Sequence, residues 1–141
     1  MKKNSYKTET KIDDQMLSEP AFSYGNADYY QLATYEISKS YIKKVIDQAH
    51  LTLGELMEII PVSIDTYKRK TVFQPAVTEK ILEIEEVYKA GIEAFGEGFH
   101  QWMNAENIPL GGIKPKELLK NSFGVRRLLQ QIGRMKYGVL A

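Results

Sequence analysis

The sequence predicts an all-α fold in which a helix-turn-helix domain is joined to a small helical C-terminal domain. Apolar residues recur at the spacing of an amphipathic helix in several stretches of the chain. Residues that typically begin or end helices separate these stretches. We therefore predict a flexible N-terminal arm at residues 1–34, a helix-turn-helix domain at 35–96 and a helical C-terminal domain at 97–141.

The predicted arm begins with about twenty polar residues that offer too little apolar surface to offset the entropy of ordering them. Aromatic residues then gather around the turn-like pair Gly25–Asn26. These rings could pack on the core or on a second subunit. Packing on either surface is favoured because buried tyrosine usually provides contact area and one hydrogen bond. The cluster consists of Phe22, Tyr24, Tyr29, Tyr30 and Tyr35.

The sequence of the middle domain predicts four helices. Thr52 and Glu55 form a capping box that begins the second helix, and Pro61 ends it. Ser63 is a suitable N-cap for a short third helix that runs to Lys70. The apolar stripes are Ile42, Val45, Ile46 and Ala49 in the first helix, and Leu53, Leu56, Ile59 and Ile60 in the second.

The fourth predicted helix is long, from about Pro75 to Phe95, and Gly96 closes it. Its apolar residues keep near-helical spacing over its whole length: Val77, Ile81, Ile84, Tyr88, Ile92 and Phe95. A helix of nine residues, a short turn and a short polar helix earlier in this domain are the layout of a helix-turn-helix.

The C-terminal domain is predicted to contain short helices separated by prolines and glycines. Phe99, Trp102 and Met103 lie on one helical face, with Trp102 in the core. The segment 107–112 ends that helix, and Pro115 begins another with Leu118 and Leu119 on its apolar edge. Gly124 indicates a close approach or a turn. A last amphipathic helix then carries Val125, Leu128, Leu129 and Ile132 and ends at Gly138.

Charge is unevenly distributed along a chain whose net charge is +1. Residues 35–96 carry eight basic and ten acidic groups, whereas residues 97–141 carry seven basic and three acidic groups. A partner with an acidic surface or an anion-binding pocket would explain the basic excess, and so would a solvated basic face.

The composition of the chain and the motifs it lacks argue against several classes of function. Cysteine is absent, which excludes disulfides and thiolate chemistry and fits a cytoplasmic protein. No run of eighteen apolar residues or secretory signal is present, so we expect no membrane partner. His50 and His100 are isolated, and Gly111–Gly112 lacks the strand and the lysine of a phosphate loop. We expect no enzyme activity, no metal and no cofactor.

The order of key residues in the last forty positions resembles the C-terminal domain of the Xre/MbcA/ParS antitoxins, the partners of RES-domain toxins. The residues are Trp102, Leu110-Gly111-Gly112, Pro115, Leu118-Leu119 and Gly124. Residues 56–69 are similar to the Xre-like helix-turn-helix of the same antitoxins, with Ser63, Thr66 and Arg69 matching the family pattern. Together the resemblances cover about residues 37–141.

The helix-turn-helix region departs from the family pattern at four positions. Met57 stands where a small residue is usual, and Pro61 where the turn usually has glycine. Ile64 and Asp65 replace residues that are more often polar or basic. Asp65 would repel phosphate and the region carries a net negative charge, and both features oppose DNA binding. Two roles therefore stay open: this unit could bind DNA, or it could serve only for dimerisation or scaffolding.

The resemblance implies an antitoxin that binds a RES-domain toxin, which consumes NAD or ADP-ribosylates a target with it, and that blocks the toxin's active site. It also implies a homodimer that represses its own promoter by binding operator DNA. The alternative is a stand-alone transcriptional regulator whose C-terminal domain serves for oligomerisation. The expected toxin-binding residues are Arg126, Arg127, Arg134, Lys136, Tyr137, Val139, Leu140 and Ala141. The expected DNA-binding residues are Ser63, Asp65, Thr66, Lys68, Arg69 and Lys70.

Overall fold

The computed structural model of the chain describes residues 11–12 and 26–138, with side chains from residue 29 onward. The chain divides into two compact units, Met1–Leu82 and Glu83–Ala141. This division lies inside the longest helix, before the domain boundary that the sequence predicts at residue 97. Among the described residues, no helix has the length and apolar character that crossing a membrane requires.

The N-terminal unit combines short helices with a small sheet. Strand β2 lies between a parallel neighbour, β1, and an antiparallel one, β3, with Ile37 opposite Ile12 and Phe73. The strands are only two or three residues long, too short for the alternation that reveals strands in a sequence. The elements are β1 (Lys11–Ile12), α1 (Asn26–Leu32), β2 (Glu36–Ser38), α2 (Lys39–Ala49), α3 (Leu53–Met57), α4 (Ile64–Arg69) and β3 (Val72–Phe73).

The structure places two regular elements within residues 1–34. Strand β1 and helix α1 fall in the segment that the sequence predicts to be a flexible arm. Of the aromatic cluster, Phe22 and Tyr24 lie outside the described residues, and Tyr30 is 81% exposed in the single chain, so it does not pack on the core. Because Tyr29 and Tyr30 are successive helical residues, they point about 100° apart, and Tyr29 takes the half-buried position.

Helix α2 buries most of the apolar stripe that its sequence predicts. Ser38 is its N-cap, and the Ser38 Oγ accepts a hydrogen bond from the backbone N–H of Tyr41. Ile42 and Val45 are buried, whereas Ile46 is only half-buried. The predicted stripe therefore identifies the buried face of this helix.

The capping box of α3 is present, but the helix is shorter than the nine residues predicted. The Thr52 Oγ1 accepts from the N–H of Glu55, and a Glu55 carboxylate oxygen accepts from the N–H of Thr52, at 3.1 and 2.9 Å. After Met57 the chain tightens, because the N–H groups of Glu58 and Ile59 donate to carbonyls three residues earlier. Pro61 lacks the N–H that would donate to the carbonyl of Met57 in a continued helix, and it disfavours helical backbone at Ile60, so both effects favour an early end.

The inward face predicted for the second helix also needs one correction. Leu56, Ile59 and Ile60 are buried, but Leu53 is 38% exposed. Leu53 is the first residue of the shortened helix. Its side chain therefore lies over the polar entry turn and not over the core.

The longest helix, α5, spans Pro75–Phe95, the bounds predicted from the sequence. Gly96 ends it with a left-handed φ of 66°, and its N–H donates to the carbonyl of Ile92. At the N-terminal end the buried Thr78 hydroxyl donates to the carbonyl of Tyr35 at 2.6 Å. Phe95, the last member of the predicted stripe, is 38% exposed.

The C-terminal unit continues with α6 (Gly98–Asn104), two 3-10 helices (Ile108–Leu110 and Pro115–Lys120) and α7 (Ser122–Lys136). Gly111 and Gly112 both have positive φ, which explains the paired glycines after the first 3-10 helix. Trp102 is only partly buried, which corrects its assignment to the core, and it stacks on Phe99. The buried core of this unit includes Ile84, Val87, Tyr88, Phe99, Met103, Leu110, Leu119, Val125, Leu128 and Ile132.

Candidate functional site

Helix α7 is fixed at its beginning by a cap and a close backbone contact. The Asn121 side chain accepts a hydrogen bond from the N–H of Gly124 at 2.9 Å. Gly124 is buried against the backbone of Leu118 in the second 3-10 helix, where a Cβ atom would overlap the Leu118 carbonyl. The close approach predicted at Gly124 is confirmed, although this residue lies within the helix and not in a turn before it.

Two polar contacts join α7 to the part of α5 that belongs to the C-terminal unit. The Ser122 hydroxyl donates to the Glu83 carboxylate at 2.6 Å near the start of α7. Lys136 and Glu93 form a salt bridge of 3.5 Å at its other end. The contact of Ser122 with Glu83 therefore helps to position the start of α7, whereas the exposed salt bridge at its other end contributes little.

One face of α7 is buried and the opposite face is basic. The buried face includes Val125, Leu128, Gln131 and Ile132. At 100° per residue, the exposed side chains opposite to it fall within an arc of about 100°. They are Phe123, Arg126, Arg127, Gln130 and Arg134, which we call the basic face.

The basic face has no acidic counterpart on its own helix. The sequence contains no Asp or Glu after Glu117. Within the described residues, none of Arg126, Arg127 and Arg134 forms a salt bridge. Exposed helices usually alternate charges that pair across one turn, so three such guanidinium groups leave this surface strongly positive.

The structure thus brings together three of the residues expected to bind a toxin, Arg126, Arg127 and Arg134. Lys136 lies to one side, where it pairs with Glu93 and approaches the Tyr137 ring at 5.7 Å. Tyr137 follows the end of the helix and is 77% exposed. The other expected residues, Val139, Leu140 and Ala141, lie outside the described residues.

Phe123 belongs to this surface and is not among the residues predicted from the sequence. Its side chain is 75% exposed, and the Arg126 guanidinium carbon lies 5.3 Å from its ring centroid. The sequence contains one signal for this position. Phe123 lies outside the stripe that begins at Val125, so helical spacing places it on the polar side.

The second candidate surface is α4 in the N-terminal unit. Ser63 and Thr66 act within the cap, because the Ser63 Oγ accepts from the N–H of Thr66 and donates to the Thr66 Oγ1 at 3.0 Å. Their hydroxyls therefore have local structural roles. The exposed residues expected to contact DNA are Ser63, Asp65, Lys68, Arg69 and Lys70, whereas Thr66 is half-buried.

Lys39 adds a cation near the C-terminal end of α4 that is not among the residues predicted from the sequence. Its Nζ donates to the carbonyl of Lys68 at 3.0 Å and lies 5.0 Å from the centroid of the Tyr67 ring. Tyr67 is buried and stacks on Phe73. Burial, and secondarily the negative charge of Asp47, raises the pKa of the Tyr67 hydroxyl, so Tyr67 acts as a neutral packing residue.

Comparison with known protein families identifies the class of the C-terminal unit. Residues 90–138 match the antitoxin Xre/MbcA/ParS C-terminal toxin-binding domain. The matched segment contains α6, both 3-10 helices and α7 with its basic face. A search of curated proteins finds no match to the chain.

Residues 90–138 are accordingly similar to the toxin-binding domain of the Xre/MbcA/ParS antitoxins, as the resemblance of the last forty residues implies, and this similarity supports an antitoxin of that type. The matched domain is one that binds toxins, which implies a toxin as the partner.

Proposed function

We propose that this chain is an antitoxin that neutralises a RES-domain toxin, an enzyme that consumes NAD or ADP-ribosylates a target with it, by covering the active-site cleft of the toxin. The observation that carries the proposal is the basic face of α7, which lies inside the matched toxin-binding segment. A pocket that binds an anionic dinucleotide attracts cations, and arginine forms bidentate hydrogen bonds with carboxylates near such a pocket.

The proposed contact extends from the basic face to the end of the chain. Arg126, Arg127 and Arg134 present their guanidinium groups to the toxin, and the further residues proposed to contact it are Tyr137, Val139, Leu140 and Ala141. Lys136 can join them by leaving Glu93. Both side chains of that salt bridge are exposed, by 42% and 76%, so its loss costs at most about 1 kcal/mol.

Co-expression with the protein encoded by the adjacent open reading frame tests this proposal. The antitoxin should restore growth and cellular NAD, and the double variant Arg127→Ala/Arg134→Ala should bind the toxin more weakly by about 2–5 kcal/mol if both charges are buried in the complex. The matched control is Lys43→Ala/Lys44→Ala, which removes two exposed cations from α2 in the N-terminal unit.

Each result has a separate meaning. If the unaltered chain restores neither growth nor cellular NAD, the proposed neutralisation of a RES toxin is wrong. If the arginine variant neutralises as well as the lysine control, the basic face is not the contact. If deletion of residues 137–141 leaves neutralisation unchanged, these residues are not part of the contact with the toxin.

A second proposed activity is repression of the antitoxin's own promoter by a homodimer bound to operator DNA. It is supported by Lys68, Arg69 and Lys70, exposed at the C-terminal end of α4, with Lys39 beside them. Asp65 is exposed on the same helix and opposes phosphate binding, although it could accept a hydrogen bond from a cytosine amino group.

Gel-shift and anisotropy titrations on the promoter at several salt concentrations test the DNA activity. Lys68→Ala and Arg69→Ala should each weaken binding and reduce the slope of log affinity against log salt by about 1. Equal affinity of both variants and the unaltered chain would contradict this role for α4. Promoter binding without any toxin encoded nearby would favour the alternative, a stand-alone regulator.

A further inference from the structure

The exposed aromatic ring on α7 is the feature of the basic face that charge alone does not explain. Phe123 is 75% exposed, although it lies beside the well-packed Gly124 and Val125. Single exposed apolar residues are common, but this one has two exposed arginines one turn away, Arg126 and Arg127, and the exposed Gln130 two turns away. Aromatic side chains and arginine are the residues enriched in interface hot spots.

We infer that Phe123 is the anchor of the toxin interface and enters an apolar pocket on the toxin that is rimmed by carboxylates. This inference rests on the proposed function and names the chemistry of the contact. Burying the ring in such a pocket removes its apolar surface from water, and this transfer contributes favourably to the free energy of binding. The surrounding guanidinium groups specify a negatively charged rim, since they have no acidic partner among the described residues.

The geometry of the free antitoxin already suits this role. Phe123 lies in the first turn of a helix that is capped by Asn121 and joined to Glu83 through Ser122. Its backbone is therefore ordered before binding, which reduces the entropy lost in the complex. Arg126 already lies over the ring at 5.3 Å, and exclusion of water strengthens such a cation–π contact.

The charge on this face argues against a second copy of the chain as its occupant. A symmetric dimer would place the same surface on both sides of the interface and bring Arg126, Arg127 and Arg134 close to their own copies. Like charges so placed oppose association. Nucleic acid is disfavoured as occupant because the segment that carries the ring matches a toxin-binding domain.

The test measures the affinity of purified antitoxin for the protein encoded by the adjacent open reading frame, by biolayer interferometry. Phe123→Ala should weaken the complex by roughly thirtyfold or more, and Phe123→Tyr by less than about fivefold. Tyr30→Ala, which removes a ring that is 81% exposed in the N-terminal unit, should also change the Kd by less than about fivefold. The unfolding midpoint of Phe123→Ala should equal that of the unaltered chain, since the removed ring is exposed.

The outcomes separate this inference from the proposed function. If Phe123→Ala binds and neutralises within about fivefold of the unaltered chain, the anchor is wrong while neutralisation stands. If the unaltered chain does not bind the toxin, both are wrong. Two further results would contradict the anchor role of Phe123 if the Phe123→Ala variant keeps its affinity for the toxin. One is a homodimer of the unaltered chain that dissociates in this variant, and the other is a variant that loses only its binding to duplex DNA.

Discussion

Two glycines in α7 allow a matched test of how this helix is seated on the C-terminal unit. At Gly124 a Cβ atom would lie 2.8 Å from the carbonyl carbon of Leu118 and 3.0 Å from its Cα. At Gly133, in the same helix, a Cβ atom would meet nothing within 4 Å. Gly124→Ala should therefore destabilise the unit, and Gly133→Ala should stabilise it.

The magnitudes follow from three contributions. Alanine in a helix interior is better than glycine by about 1 kcal/mol, which is the whole effect expected for Gly133→Ala. Overlap with backbone costs about 1–3 kcal/mol, because a backbone cannot rotate away as a side chain can. Moving the first turn also weakens the cap from Asn121 to the Gly124 N–H, worth about 1 kcal/mol. Gly124→Ala should thus lose about 1–3 kcal/mol net, and the two variants should differ by about 2–4 kcal/mol.

The fluorescence of Trp102 reports this difference, since it is the single tryptophan of the chain and lies in the C-terminal unit, stacked on Phe99. In urea, with a slope of about 2 kcal/mol/M, the midpoints of the two variants should differ by about 1–2 M. Because both substitutions reduce the entropy of the unfolded chain equally, that contribution cancels. Equal midpoints, or a lower midpoint for Gly133→Ala than for Gly124→Ala, would refute the packing of Gly124 on Leu118.

Three further substitutions test the N-terminal unit and α5. Thr52→Ala should lower the free energy of unfolding by about 1 kcal/mol in urea titrations followed by circular dichroism, whereas Thr52→Ser should retain the cap. Thr78→Val should lower it by about 1–3 kcal/mol, because the carbonyl of Tyr35 loses its donor, and an unchanged midpoint would contradict that hydrogen bond. Burial, then the charge of Glu83, raises the pKa of Glu86, so the ionised carboxylate destabilises the folded chain at neutral pH. Glu86→Gln should therefore be more stable than the unaltered chain at neutral pH. Its advantage should shrink as the pH falls through the folded pKa of Glu86, and an advantage independent of pH would contradict the shift.

Local signals explain why parts of the fold were predictable from the sequence. The capping box at Thr52, the N-cap at Ser63 and the bounds of α5 depend on residues within a turn or two of each other. The early end of α3 was not predicted because the apolar stripe continues to Ile60, beyond the last helical residue, whereas Pro61 disfavours helical backbone in the residue before it. The strands were missed because their pairing joins β2 to segments far away in sequence.

The candidate site was predictable only in its charge. The basic residues of the last helix are visible in the sequence, but periodicity alone does not show which neighbours of the apolar stripe remain uncovered. The exposure of Phe123 depends on how the second 3-10 helix and α5 cover the other side of α7. Lys39 was missed near α4 for a related reason, since its contact with Lys68 spans 29 positions of the sequence.

The distribution of charge in the C-terminal unit decides how such a surface can act. Residues 83–141 carry eight basic and seven acidic groups, so the unit as a whole is almost neutral. Every acidic group nevertheless precedes residue 118, while five cations follow it. Charges separated by more than about 8 Å are largely screened at physiological salt, so a partner at the exposed side of α7 experiences the local guanidinium groups and not the net charge. The near-neutral unit can therefore present a strongly positive binding face. Among the described residues, one acidic group forms a salt bridge with α7: Glu93 pairs with Lys136, at the margin of that face.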